Sequence, residues 1–206
     1  MSTIRILEKL ILALILGLIA PILGLLLFWW GALVLLPEAW VAIAALSGLA
    51  LGLGLDALFL RKAVRVAYTI KVELWAAIHL FYSMGLFGMF MGVPVVNALL
   101  SLPAGFVVGG RLAAGNADES RVRQAARRTA WFTSGVLFLV CVASACVALD
   151  SPSTPADLRG MLRLGFEVTQ GMVVGLIVVG GMGLLAFNWV LTLVTVRFAH
   201  TFLLRK

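Results

Sequence analysis

Uncharged apolar runs longer than any soluble helix requires dominate this chain, and the polar gaps between them are short. Residues 10–36 contain no Asp, Glu, Lys or Arg, whereas roughly 20 apolar residues already carry a helix across ~30 Å of hydrocarbon. Lipid is therefore the solvent that this sequence is built for. The 206 residues are 63% hydrophobic and 12% charged, against about a quarter charged in soluble domains. That length holds six spans with short loops and no separate soluble domain.

The expected fold is an all-α polytopic membrane bundle in one domain, residues 1–206. Spans are predicted at 10–36, 39–60, 74–91, 95–110, 130–149 and 168–196. Pro37-Glu38 makes a tight turn between the first two, and Trp29, Trp30 and Trp40 cluster there, as indoles do at a lipid–water boundary. The third and fourth spans come from one apolar stretch, 74–110, which as a single helix would be about 55 Å long and must turn. Gly92-Val93-Pro94 is the expected break, leaving either two full spans or a re-entrant pair. Ser2, Thr3, Arg5, Glu8 and Lys9 read as an interfacial lead. The first run far exceeds a signal-peptide core of 7–15 residues, so the N-terminus is expected to be retained.

Between the fourth and fifth spans, residues 117–128 are predicted to form a cytoplasmic interfacial helix. Asn116 and Glu119 have capping-box spacing. Arg121, Arg123, Arg127 and Arg128 fall on its polar side, where they can meet headgroups or a partner, while Val122, Ala125 and Ala126 face the membrane. Residues 150–167 form the longest outer loop.

Charge sets the expected orientation. Arg5, Lys9, Arg61, Lys62, Arg65, Lys71, Arg111, Arg121, Arg123, Arg127, Arg128, Arg197, Arg205 and Lys206 all fall in alternate gaps, and only Arg159 and Arg163 fall on the opposite side. The positive-inside rule then puts both termini in the cytoplasm of a bacterial-type cytoplasmic membrane. The same rule accounts for the net charge of +7 without nucleic acid.

Polar residues inside the spans are the candidate functional groups, because such groups are costly in lipid and face a bundle interior or an aqueous path. Asp56 lies one turn inside the cytoplasmic end of the second span. His79 lies at similar depth in the third, with Tyr82 and Ser83 at helical spacing beyond it. An Asp56–His79 pair would suit proton-linked movement of an ion or small solute, since histidine titrates near neutrality; a purely structural hydrogen bond is the simpler alternative. Asn97 and Ser101 follow the expected break. Asn188 and Thr192 are polar on the cytoplasmic half of the sixth span, and Thr169 and Gln170 on its outer half. Gly105 with Gly109, and Gly171 with Gly175, have the small-xxx-small spacing of close helix packing.

Other chemistry has thinner support. Met84, Met89 and Met91 are soft ligands without a repeated pattern, better read as gap-fillers. His79 and His200 lack any haem-attachment motif. Cys141 and Cys146, five residues apart, read as small buried apolar residues. No metal or cofactor is expected. The likeness between 64–70 and 196–202 amounts to four matches in seven and supports no duplication. Three functions compete: a small transporter or channel-type protein; a non-catalytic subunit or scaffold of a membrane complex; and, last, a lipid-modifying enzyme, which lacks a clustered Asp/His/Arg site. The lipid bilayer is the expected partner, together with further copies of the chain or the other subunits of a complex.

Overall fold

The computed structural model describes residues 3–90 and 93–204. Ser2, Met91 and Gly92, and the basic residues Arg205 and Lys206, lie outside the described residues. The fold is all-α. Six helical segments are long and apolar enough to cross a membrane: Ile4–Leu35, Glu38–Arg65, Val72–Met89, Val95–Ala114, Glu119–Asp150 and Gln170–Leu204. Large apolar side chains such as Leu27, Val34, Leu58 and Val179 stand exposed along them, as expected of helices whose outer faces meet acyl chains rather than water.

The chain forms two compact units, with the division after Lys71. The first contains α1 (Thr3–Gly17), α2 (Ile19–Leu35), α3 (Glu38–Arg65) and a 3-10 turn at Ala67–Thr69. α1 and α2 share one span, interrupted at Leu18. Pro21 explains the interruption: it has no N–H for the Gly17 carbonyl, and its ring crowds that carbonyl.

α2 and α3 form an antiparallel hairpin whose backbones nearly touch. A Cβ on Gly24 would run into the Gly48 carbonyl, and one on Gly48 into the Gly24 carbonyl. Gly52 likewise faces the Ala20 carbonyl and Pro21. Such close approach is how membrane helices gain dispersion energy when lipid supplies no hydrophobic drive.

Glu8, part of the expected interfacial lead, is enclosed by protein. It is buried within the first unit, where the Tyr68 hydroxyl donates to Glu8 Oε1 at 2.8 Å. Burial pushes the Tyr68 phenol well above its usual range, and the neighbouring Glu8 adds to the shift.

The second unit contains α4 (Val72–Met89), α5 (Val95–Ala98), α6 (Ser101–Ala114), α7 (Glu119–Asp150), α8 (Thr154–Leu162) and α9 (Gln170–Leu204). α6, α7 and α9 pack together. Gly105 and Gly109 are the contact points on α6: a Cβ on Gly105 would lie 2.8 Å from Thr195 Cβ, and one on Gly109 2.7 Å from Ala199 Cβ. Gly171 and Gly175 on α9 differ. A Cβ on Gly175 would meet no atom within 4 Å among the described residues, and one on Gly171 only Thr169 Oγ1 at 3.9 Å.

Residues 117–128 do not form a separate helix. Residues 119–128 are the first turns of α7, which at 32 residues is about 48 Å long and outreaches the hydrocarbon core. Asp118, not Asn116, is the N-cap; the Ser120 hydroxyl bonded to it holds its carboxyl below the usual range. Asn116 has φ 47°, a left-handed conformation that asparagine tolerates, just past the end of α6. Val122 and Ala126 pack with Val196 against Val108, Leu112 and Leu193, so this face is covered by protein instead of lipid.

Candidate functional site

Pro103 and a set of small polar residues on separate helices give the second unit a polar interior. Within the span Val95–Ala114 the helix breaks at Leu99 and Leu100, between α5 and α6. The turn between the third and fourth spans falls between Met89 and Val95, where Gly92-Val93-Pro94 is expected to place it; the break at Leu99 and Leu100 is a further one with a local cause. Pro103 has no N–H for the Leu99 carbonyl, which instead accepts from the Leu102 amide at 3.0 Å in a tighter turn. That amide is thereby withdrawn from the Ala98 carbonyl, which would have been its α-helical partner.

The freed carbonyl is satisfied by side chains. Ser101 Oγ donates to Ala98 O at 2.7 Å. Asn188 on α9 supplies a second donor: with its amide oriented to match its surroundings, Nδ2 donates to Ala98 O at 3.2 Å, and Oδ1 accepts from Thr133 Oγ1 at 3.2 Å and Ser134 Oγ at 3.0 Å. Thr192 Oγ1 lies 3.0 Å from Thr133 Oγ1 and donates to the Asn188 carbonyl at 2.8 Å. Ser101, Thr133, Asn188 and Thr192 are all at most 1% exposed. The cluster joins α5, α7 and α9 at one point.

Asn97, beside Ala98, is the exception. It is 5% exposed, and neither Oδ1 nor Nδ2 has a hydrogen-bond partner among the described residues. An amide buried unpaired costs roughly 2–7 kcal/mol depending on the reference medium, and native interiors pair nearly all such groups. Asn97 is thus a donor and an acceptor in one place, held at a helix break, without an internal use for either.

The other candidates are distributed as follows. His79 is buried on α4, its ring centroid 5.4 Å from that of Phe132 on α7, and Ser83 is buried one turn beyond it. Tyr82 lies beside Phe81, with centroids 5.5 Å apart. Asp56 belongs to the first unit and is half-buried; a Cβ on Gly17 would come within 3.6 Å of its Oδ2. Asp56 therefore sits beside the carbonyl that Pro21 leaves without a helical donor. Arg121 and Arg123 make exposed ion pairs with Asp118 at 3.5 Å and Glu119 at 3.9 Å.

Sequence reasoning did not single out Thr133 and Ser134. Both are common as lone hydroxyls that bond back to their own helix, and only the register of α7 against α9 shows otherwise. Comparison with protein-family models, with curated proteins and with solved structures finds no match to this chain, so its function is argued from its own chemistry.

Proposed function

We propose that this integral membrane protein is a small transporter or channel-type protein, without catalytic activity, that moves an ion or small polar solute past the broken helix of its second unit. The observation that carries this reading is Asn97, whose buried amide has both of its polar atoms unpaired among the described residues. Backbone breaks at membrane depth are tolerated where they are buried in protein or line a polar path, and discontinuous helices are where carriers hold their cargo. The Asn97 amide would engage a solute offering a donor and an acceptor together, while Ser101 and Asn188 hold the Ala98 carbonyl beside it. Asp56 and His79 are the groups that would couple such movement to protons.

Uptake of radiolabelled sodium, rubidium, glycerol, urea and glycine into proteoliposomes tests this. One probe should enter faster than into protein-free vesicles, and Asn97→Leu should reduce that excess at least tenfold while the protein stays folded. Equal uptake by wild type and variant for every probe would sink the reading.

A second reading, a subunit of a larger complex or homo-oligomer, is favoured by the open glycines of α9. Cβ atoms on Gly175, Gly180, Gly181 and Gly183 would meet nothing within 4 Å among the described residues, which leaves room for a helix of another chain to approach closely. Native mass spectrometry of gently extracted protein separates the two: a stoichiometric foreign polypeptide favours the subunit.

A further inference from the structure

A groove of about 550 Å³ opens between α7 and α9 on the surface of the second unit. Trp131, Gly135, Phe138, Leu185 and Trp189 give it an almost wholly apolar lining. Trp131 and Trp189 meet edge to face, with centroids 4.9 Å apart, and Trp131 is 72% exposed. A paired indole at one end of an apolar groove marks the level of the headgroups, where tryptophan gathers.

Charge is placed at that same end. Arg127 and Arg128 precede Trp131 by four and three residues, one turn towards the start of α7 and on the groove-bearing face. Both are exposed. The nearby acids Asp118 and Glu119 are engaged by Arg121 and Arg123, and among the described residues Arg127 and Arg128 have no ion pair. Helical side chains lean towards the N-terminus, so the two guanidinium groups reach away from the hydrocarbon to phosphate depth.

We propose that this groove binds one anionic phospholipid, with an acyl chain lying along Trp131, Phe138, Leu185 and Trp189 and the phosphate held by Arg127 and Arg128. The chemistry matches the ligand at both ends. An acyl chain needs a dry concave surface; the headgroup needs two cations one helical turn above it, and arginine binds phosphate through paired donors. Ser134, which also lines the groove, shares a hydrogen bond with Asn188, so the bound lipid would abut the polar cluster. The assignment does not depend on transport.

Tryptophan fluorescence in phosphatidylcholine nanodiscs provides the test, using a parent carrying Trp29→Phe, Trp30→Phe, Trp40→Phe and Trp75→Phe so that Trp131 and Trp189 report alone. Brominated phosphatidylglycerol should quench at roughly tenfold lower mole fraction than brominated phosphatidylcholine, as expected for two basic residues at an anionic surface. Arg127→Gln with Arg128→Gln should bring the two curves together. Equal quenching by both lipids in the parent, or a preference that survives loss of both arginines, overturns the proposal. Gly135→Leu gives an independent check, since a Cβ there meets no atom within 4 Å and the side chain can fill the groove without displacing the helices. It should abolish retention of one phosphatidylglycerol in native mass spectra, and retention equal to wild type would count against the site.

Discussion

Asn188 ties three helices together through one amide, and the free energy at stake there is modest in membranes. Interhelical hydrogen bonds in lipid average about 0.6 kcal/mol and reach about 1.7, but removing Asn188 strands more than one partner. Asn188→Ala leaves the Ala98 carbonyl with Ser101 alone and takes an acceptor from Thr133 and Ser134. A loss of about 1–2 kcal/mol is expected in detergent-titration unfolding. A variant as stable as wild type would mean that the cluster is not a structural joint. Asn97 carries the opposite expectation, because it makes no internal hydrogen bond that its replacement could remove.

Helix packing is where the sequence was both most and least readable. Every apolar run became a helix, because lipid leaves the backbone no other way to satisfy its own groups along such a run. The Gly105 and Gly109 spacing fell on a real contact face. The α2–α3 seam went unread, although Gly24 and Gly48 stand twelve residues either side of Leu36, and positions equidistant from a tight turn meet in an antiparallel hairpin. Glycine spacing along one helix does not reveal that register. Gly171 and Gly175 show the converse, since the same spacing can lie on a face with no close contact among the described residues. The turn between the third and fourth spans was legible in Gly92-Val93-Pro94, whereas the further break at Leu99 was not, because it follows from Pro103, inside an apolar run, withdrawing a donor four residues upstream. A matched pair of substitutions tests the seam. Gly48→Ala should destabilise the protein by about 1–3 kcal/mol, the cost of overpacking. Gly54→Ala, where a Cβ meets nothing within 4 Å, should be neutral or stabilise by up to about 1 kcal/mol. Similar thermal shifts for the two in the same detergent would contradict the close approach.

At the scale of the whole chain, the six spans imply that Ser120 and Asp157 lie on opposite sides of the membrane, separated by the single crossing of α7. The distribution of basic residues predicts that Ser120 faces inside. In a background of Cys141→Ala and Cys146→Ala, a Ser120→Cys thiol should react with an impermeant maleimide only after cells are opened, and Asp157→Cys should react in intact cells. The reverse pattern would invert the orientation, and equal labelling would remove the crossing.

The order in which the helices leave the ribosome gives the polar cluster a further consequence. The α2–α3 hairpin can close as soon as Arg65 has emerged, since all of its partners are local. Thr133, Ser134 and the Ala98 carbonyl must instead wait for Asn188 and Thr192 on α9, which at 5–20 residues per second arrive several seconds later. Until then the Thr133 and Ser134 hydroxyls lack their partners on α9, and the freed Ala98 carbonyl has only Ser101. A nascent chain stalled before α9 therefore presents the polar groups within its spans that membrane quality control can recognise, and completion of α9 hides them.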